Sequence, residues 1–282
     1  MNTFQKFLKY LLIVLKYFSL VFFSFVAVLP VISCVITAFK TEKEYASTNV
    51  MTLPQSWLFI DNFTQAIQKA GMIRAFVNSV VILIAVLIIS TLLGTQLAYV
   101  LNRFAFKGNA FIRNAFLVAA LLPGVAMQIP IYRLMYTLGF INSLPGYIVL
   151  MAGTDVMSIY IYIQFFENIS VSLDESAIVD GANYFIIFYK ILLPLLKPAI
   201  VTACILKGVG VYNEYYAANL YLQDKTRFGT MATSLYTFVG PLGSKYNLIC
   251  AGVIISLLPA LIIFILCQKQ IYSGLTAGAV KG

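Results

Sequence analysis

Residues 172–198 read SLDESAIVDGANYFIIFYKILLPLLKP, and the fold turns on what this stretch is. It opens on the carboxylates Asp174 and Glu175 and adds a third, Asp180. Ser172 with Glu175 has the form of a capping box, in which the hydroxyl accepts the Glu175 N–H and the carboxylate reaches back. A helix is therefore expected from about Leu173, with Asp174 and Glu175 at its positive end. Gly181 is expected to end or bend it, because glycine enters left-handed conformations cheaply. A second helix is expected from about Asn183 to Leu193, with Pro194 and Pro198 punctuating the return of the chain to the membrane. A helix–bend–helix led by carboxylates, set between two apolar runs, belongs outside the hydrocarbon. Its shape suits docking in another protein's groove.

Composition makes the surroundings of this stretch a membrane. The 282 residues are 61% hydrophobic and 10% charged, with a mean hydropathy of +0.91, whereas a soluble domain carries roughly a quarter charged residues. The net charge of +9 fits basic residues at the cytoplasmic ends of spans better than nucleic-acid binding. The chain has no histidine, which removes Ser-His-Asp and Cys-His catalysis, histidine metal sites and histidine pH switching. Cys34, Cys204, Cys250 and Cys267 all fall in apolar runs and form no CxxC pair. Neither a disulfide framework nor a metal site is indicated.

Hydrophobic runs predict spans at about 11–39, 76–101, 115–138, 146–166, 199–222 and 247–268. The first follows Lys6, Lys9 and Lys16, and is too long for a cleaved signal peptide. Residues 40–74 read as an external loop with surface-lying structure. There Asn62-Phe63-Thr64 is formally a glycosylation sequon, which is set aside. Pro123 and Pro130 interrupt the third span. The lysine-rich N-terminus, with Arg103, Lys107 and Arg113 after the second span, places both chain termini and residues 169–198 on the cytoplasmic side. The expected class is an all-α integral membrane protein of six transmembrane helices. Residues 1–73 form an N-terminal segment, first span and external loop, residues 74–268 a five-span core that includes the loop 169–198, and residues 269–282 a cytoplasmic tail.

Glu175-Ser176-Ala177, Gly181 and Ile191-Leu192-Leu193-Pro194 resemble the EAA loop of the permease subunits of bacterial ABC importers, with Ser176 in place of an alanine. The resemblance implies the type I importer permease fold. It also implies that the loop docks into a cleft of a cytoplasmic ATPase, with Ser172, Asp174, Glu175, Ser176, Ala177, Asp180, Gly181, Ile191 and Pro194 as docking residues. The C-terminal run is similar to the ends of maltose-type permeases. That similarity narrows the family to carbohydrate importers and implies a second ATPase contact through Gly274, Leu275, Thr276, Gly278, Val280, Lys281 and Gly282. The other reading of the tail is a disordered end. Its glycines do not make a phosphate-binding loop, because the second glycine position holds Ala279 and the chain stops at Gly282.

Two readings stand for Lys207 and the run Tyr212-Asn213-Glu214-Tyr215. Seven residues on one helix would put Lys207 and Glu214 on a shared face, where they either pair with a neighbouring helix or line the solute path. Tyr rings would offer flat surfaces to sugars, and Asn213 paired donors and acceptors. Asn78, Ser79 and Gln96 either bond between helices or meet solute. Arg133 is explained by snorkelling, and Asp155 by packing or gating.

Three functions compete. An ABC importer permease would require a second permease, two ATPase subunits that bind ATP and Mg, an external solute-binding protein and a carbohydrate, expected to be an oligosaccharide. No cofactor or metal is expected on this chain itself. It would sit in the bacterial cytoplasmic membrane, without nucleic acid. An ATP-independent transporter or channel would call for intramembrane carboxylates and repeats, of which only Glu214 is well placed. A membrane enzyme would need a constellation that the sequence lacks.

Overall fold

The computed structural model describes residues 3–124, 126–153, 155–240 and 243–277. The described chain is almost entirely helical. It divides into two units, residues 1–70 with 235–259 and residues 71–234 with 260–282.

In the first unit, α1 (Thr3–Ala38) is an apolar helix long enough to cross a bilayer. Along its outer length the side chains from Tyr10 to Ile32 are largely exposed, as suits a lipid-facing helix, and burial begins near its end, at Ile36, Thr37 and Ala38. Short helices α2 (Glu42–Ser47) and α3 (Asp61–Lys69) follow. They are the short helices of residues 40–74, and a polar network holds them. Lys40 is buried and its Nζ donates to Thr48 Oγ1 and the Asn49 carbonyl, at 3.0 and 2.7 Å. Glu44 Oε1 accepts the Gln55 N–H at 2.7 Å. Asn62, set aside above as a sequon, is buried. Its amide nitrogen donates to the Ala38 and Lys40 carbonyls, and its oxygen accepts from Asn247 Nδ2. Two-residue strands β1 (Val239–Gly240) and β2 (Gly243–Ser244) pair antiparallel and lead into α16 (Tyr246–Ala277). That helix outruns the span expected to end near 268, since nothing between Gln268 and Gly274 interrupts it.

The second unit is built around α4 (Met72–Arg103), the second long apolar helix. The expected third span is two helices, α5 (Asn109–Leu121) and α6 (Gln128–Thr137), because Pro123 cannot continue the first of them. The expected fourth span is also broken, into α7 (Leu144–Ala152) and α8 (Val156–Glu167), with Asp155 Oδ1 accepting the Ser158 N–H at 3.3 Å to start α8. The docking stretch follows, and then α12 (Lys197–Asn213) and α13 (Tyr216–Tyr221) replace an unbroken fifth span. Lys225 Nζ closes α13 by donating to the Ala218, Asn219 and Leu222 carbonyls. By length and composition three helices can each cross a membrane, and up to five spans arise when bent pairs are joined.

Two buried apolar clusters hold this unit. One joins Tyr99, Tyr162 and Phe166 to Phe188, Leu192 and Ala199. The other joins Ile82 and Val86 to Met135, Tyr147, Ala218 and Tyr221. Between helices in lipid such packing is held by van der Waals contact rather than by exclusion of water. The short helices α14 (Lys225–Phe228) and α15 (Met231–Ser234) are strapped to the start of α4. Asn78 Nδ2 donates to the Arg227 and Gly229 carbonyls, Arg74 Nη1 to the Thr226 carbonyl, and Ser79 Oγ accepts the Met231 N–H. Asn78 and Ser79 are therefore structural hydrogen-bonders of this strap.

Candidate docking loop and translocation residues

The docking stretch begins with α9 (Ser172–Val179). The capping box expected at its start does not form. The helix begins one residue earlier, with Val171 as N-cap, and the Glu175 N–H bonds the Val171 carbonyl at 3.1 Å. Ser172 Oγ instead pairs with Ser170 Oγ at 2.7 Å, because the backbone carbonyl of Val171 has already taken the donor the serine would have capped.

The bend at Gly181 does form. Gly181 has φ +82°. The Ala182 N–H reaches the Ala177 carbonyl at 2.9 Å and the Gly181 N–H the Ile178 carbonyl at 3.0 Å. These two bonds make a Schellman motif, which satisfies the last carbonyls of α9. Asn183 Oδ1 then accepts the Ile186 N–H at 2.9 Å and starts the second arm. That arm is not the regular helix expected over 183–193. It runs α10 (Tyr184–Ile186), a π-helical turn (Ile187–Leu192) and α11 (Leu193–Leu195), and it meets α12 at an angle of 71°. π-turns are rare and concentrate at functional sites.

The loop has two faces. Asp174, Ala177, Ile187, Phe188 and Leu192 are buried. Glu175, Ser176, Asp180 and Gly181 lie on exposed backbone, beside Val179 and Phe185, which are 87% and 77% exposed. Ile191 is half-buried. Of the residues expected to dock, Asp174 and Ala177 therefore face the chain's own helices. Val179 and Phe185 were not singled out above, although large exposed apolar side chains beside carboxylates are themselves a signal of a covered surface.

The buried face is tied to α4. Arg103 Nε lies 2.6 Å from Asp174 Oδ2, and the two side chains are 7% and 10% exposed. Arg103 also donates to the Ile169 carbonyl at 2.8 Å and the Phe166 carbonyl at 3.4 Å. Gln96 Nε2 donates to the Tyr189 hydroxyl at 2.7 Å. Tyr99 stacks at a tilt with Phe188, ring centroids 5.3 Å apart.

Lys207 and Glu214 do not share a helical face, because α12 ends at Asn213 and Glu214 is extended. Glu214 Oε1 accepts the Ala217 N–H at 2.8 Å and so starts α13. Asn213 Nδ2 donates back to the Val209 carbonyl at 2.9 Å, which leaves its oxygen for other partners. Tyr212 and Tyr215 are half-buried. Lys207 on α12 and Asp155 before α8 are both half-buried. Arg133 is exposed. Gly274, Leu275 and Thr276 continue the helix α16. Gly278, Val280, Lys281 and Gly282 lie outside the described residues.

Residues 90–273, which include the whole docking loop, match the model of the binding-protein-dependent transport system inner membrane component. The chain belongs to this family. Members similar to it include the arabinooligosaccharides transport system permease protein AraQ of Halalkalibacterium halodurans, 29% identical over 93% of this chain and 94% of that protein. The probable ABC transporter permease protein YurM of Bacillus subtilis is 31% identical over 90% of this chain and 83% of its own. The fold is also that of a chain in the crystal structure of a bacterial ABC transporter that imports the acidic polysaccharide alginate. The TM-score is 0.82 at 19% identity, covering 95% of this chain and 98% of that one. For a binding-protein-dependent inner membrane component, several apolar helices make a multi-pass membrane protein. The family expected from Glu175, Gly181 and Pro194 is the family found.

Proposed function

We propose that this chain is the permease subunit of an ATP-driven importer of a carbohydrate, of oligosaccharide size. It would form the membrane path with a second permease in the bacterial cytoplasmic membrane. Two cytoplasmic ATPase subunits would bind ATP and Mg, and an external binding protein would deliver solute. In this reading the chain is a transport subunit, and ATP hydrolysis belongs to the partner subunits. The proposed topology counts six spans, α1, α4, α5 with α6, α7 with α8, α12 with α13, and α16, with both termini inside.

The observation that carries the reading is the two-faced loop at 172–195. Its inner face is anchored on α4, and its outer face offers Val179 and Phe185 beside carboxylates. Such a surface suits a protein cleft, where an apolar anchor is buried and charges fix its placement. The choice of an oligosaccharide rests on the names of relatives, which include permeases for arabinooligosaccharides, starch degradation products and galactooligosaccharides. The break at Asn213–Tyr215 puts polar groups and tyrosines where two helices part, and Lys207 lies on the helix that ends there. These residues are proposed to line the path.

Tagging the chain and extracting it gently from its native membrane tests the whole assembly. Recovery with an ATPase, a second permease and a binding protein is the expected result, and the binding protein can then be screened against sugars. Recovery alone, under conditions that keep known complexes together, would favour an ATP-independent transporter.

Two variants test the contacts. An added Cβ at Gly181 meets no atom of this chain within 4 Å, so Gly181→Val acts through the left-handed backbone and through whatever covers the loop. The backbone alone costs at least about 1–2 kcal/mol. Insertion should survive while recovery of the ATPase drops, and normal transport would remove the loop from the coupling path. Deleting residues 274–282 should likewise spare insertion but lower ATPase assembly or its stimulation by solute. No change in either would make the tail a free end.

A further inference from the structure

Gln96, Tyr99 and Arg103 are spaced at i, i+3 and i+7 on α4, which puts them in one stripe about 10 Å long. Each meets the docking loop. Gln96 bonds Tyr189, Tyr99 packs on Phe188, and Arg103 pairs with Asp174. The first two contacts grip the π-turn of the second arm, and the third grips α9 in the first arm. Both arms are thus held by a single helix. Arg103 also reaches the Phe166 and Ile169 carbonyls at the end of α8, so the same guanidinium joins the docking loop to two apolar helices.

The Arg103–Asp174 pair is placed for register. Each charge sits at the helix end whose dipole favours it, Arg103 in the last turn of α4 and Asp174 in the first turn of α9. As a source of stability alone, a buried ion pair is a poor choice, because well-packed apolar groups of similar volume hold as well or better. The pair here is also incompletely satisfied, since Asp174 Oδ1 is buried with no hydrogen-bond partner among the described residues. What a buried pair adds over apolar packing is intolerance of slip. A small slide leaves two uncompensated charges in a low-dielectric interior, whereas leucines sliding past each other lose little. A joint that must transmit displacement needs that property.

We infer that α4 is the helix through which movement of the docking loop enters the membrane. The stripe Gln96-Tyr99-Arg103 is its receiving face, and Arg103 with Asp174 is the positioning pair that prevents slip. The inference rests on the proposed ATPase docking and adds the route by which it acts.

The test uses the full complex, co-expressed with its partner subunits and reconstituted in lipid vesicles. ATP hydrolysed and solute accumulated are measured side by side for the wild type, Asp174→Asn, Arg103→Lys and Tyr189→Phe. Asp174→Asn keeps the shape and removes the charge. Arg103→Lys keeps the charge and removes the fork that holds the Phe166 and Ile169 carbonyls. The expected result is retained assembly with ATP hydrolysed per solute rising about tenfold in the first two. Tyr189→Phe, at a half-exposed site, should raise the ratio by about twofold. A purely structural pair would lower hydrolysis and uptake together and leave the ratio at the wild-type value, which would overturn the inference. Should Asp174→Asn and Arg103→Lys fail to assemble, Tyr189→Phe decides: a raised ratio supports the route through α4, and an unmoved one overturns it. A wild-type chain that binds no ATPase overturns the inference together with the function it rests on. An assembled complex whose ratio no variant moves overturns the inference alone.

Discussion

Replacing Asn62 by leucine is expected to destabilise the first unit by roughly 3 kcal/mol or more, since three buried polar groups lose a hydrogen-bond partner at once. Asn62 is 2% exposed and shares leucine's branched outline, but leucine is the larger, so overpacking adds to the lost hydrogen bonds. Its amide nitrogen satisfies the Ala38 and Lys40 carbonyls at 2.8 and 2.7 Å, and its oxygen accepts from Asn247 Nδ2 at 2.9 Å. Carbonyls at the end of a helix have no partner within it, and here a side chain from α3 supplies one. Thermal unfolding of the detergent-solubilised protein is the measurement. Asn247→Ala removes one of the three bonds and should cost about a third as much, roughly 1 kcal/mol. Equal melting of Asn62→Leu and wild type would mean that water already serves these groups.

Gly146→Ala is expected to prevent correct closure of the turn before α7. A Cβ at Gly146 would lie 2.6 Å from Phe140 Cβ and 2.8 Å from Phe140 Cα, and closer still to the Phe140 carbonyl oxygen. These are mainly backbone atoms, which cannot swing aside as a flexible side chain does. The turn is also pinned. The Phe140 N–H bonds the Met135 carbonyl at 2.8 Å, the Asn142 N–H bonds the Tyr221 carbonyl at 2.7 Å, and Asn142 Oδ1 accepts the Asp224 N–H at 2.9 Å. Backing off by the distance a methyl requires would break at least one of these. Overpacking costs about 1–3 kcal/mol even where side chains can yield, and the expected cost here is at the upper end. The yield of monodisperse protein and its melting temperature should both fall. Gly210→Ala is the control. Its Cβ meets nothing within 4 Å inside α12, so it should be neutral or stabilising by up to about 1 kcal/mol. If both alanines behaved alike, close approach at Gly146 would not be what requires glycine there.

The parts of this molecule that were legible in its sequence are those governed by local rules. Lipid forces long apolar runs, so α1, α4 and α16 could be outlined from composition alone. A glycine following a carboxylate-led helix signalled the bend at Gly181, because few other residues adopt its backbone. Breaks within apolar runs were legible where proline made them, at Pro123, and illegible where a polar side chain did. Glu214 was read as a helical residue seven positions from Lys207, yet it caps the next helix, an outcome that depends on where α13 starts. The pairing of Arg103 with Asp174 spans 71 residues of chain, and no spacing rule reaches so far. The structural role of Asn62 was out of reach for a related reason. Its tripeptide suggests modification, while its burial depends on α16, at the far end of the sequence.

The π-turn at Ile187–Leu192 bears on how this loop tolerates changes in chain length. Within an α-helix, one residue more or fewer rotates everything beyond it by about 100°. A π-turn is a stored insertion, an additional residue looped out so that both flanks keep their orientation. Removing a residue there would let the arm regularise, with the Asn183 cap and Pro194 still facing as they do. Removal from α9 would instead turn Asp174 away from Arg103. The second arm is therefore where the loop can absorb an insertion or deletion, and the first arm is where its length is fixed.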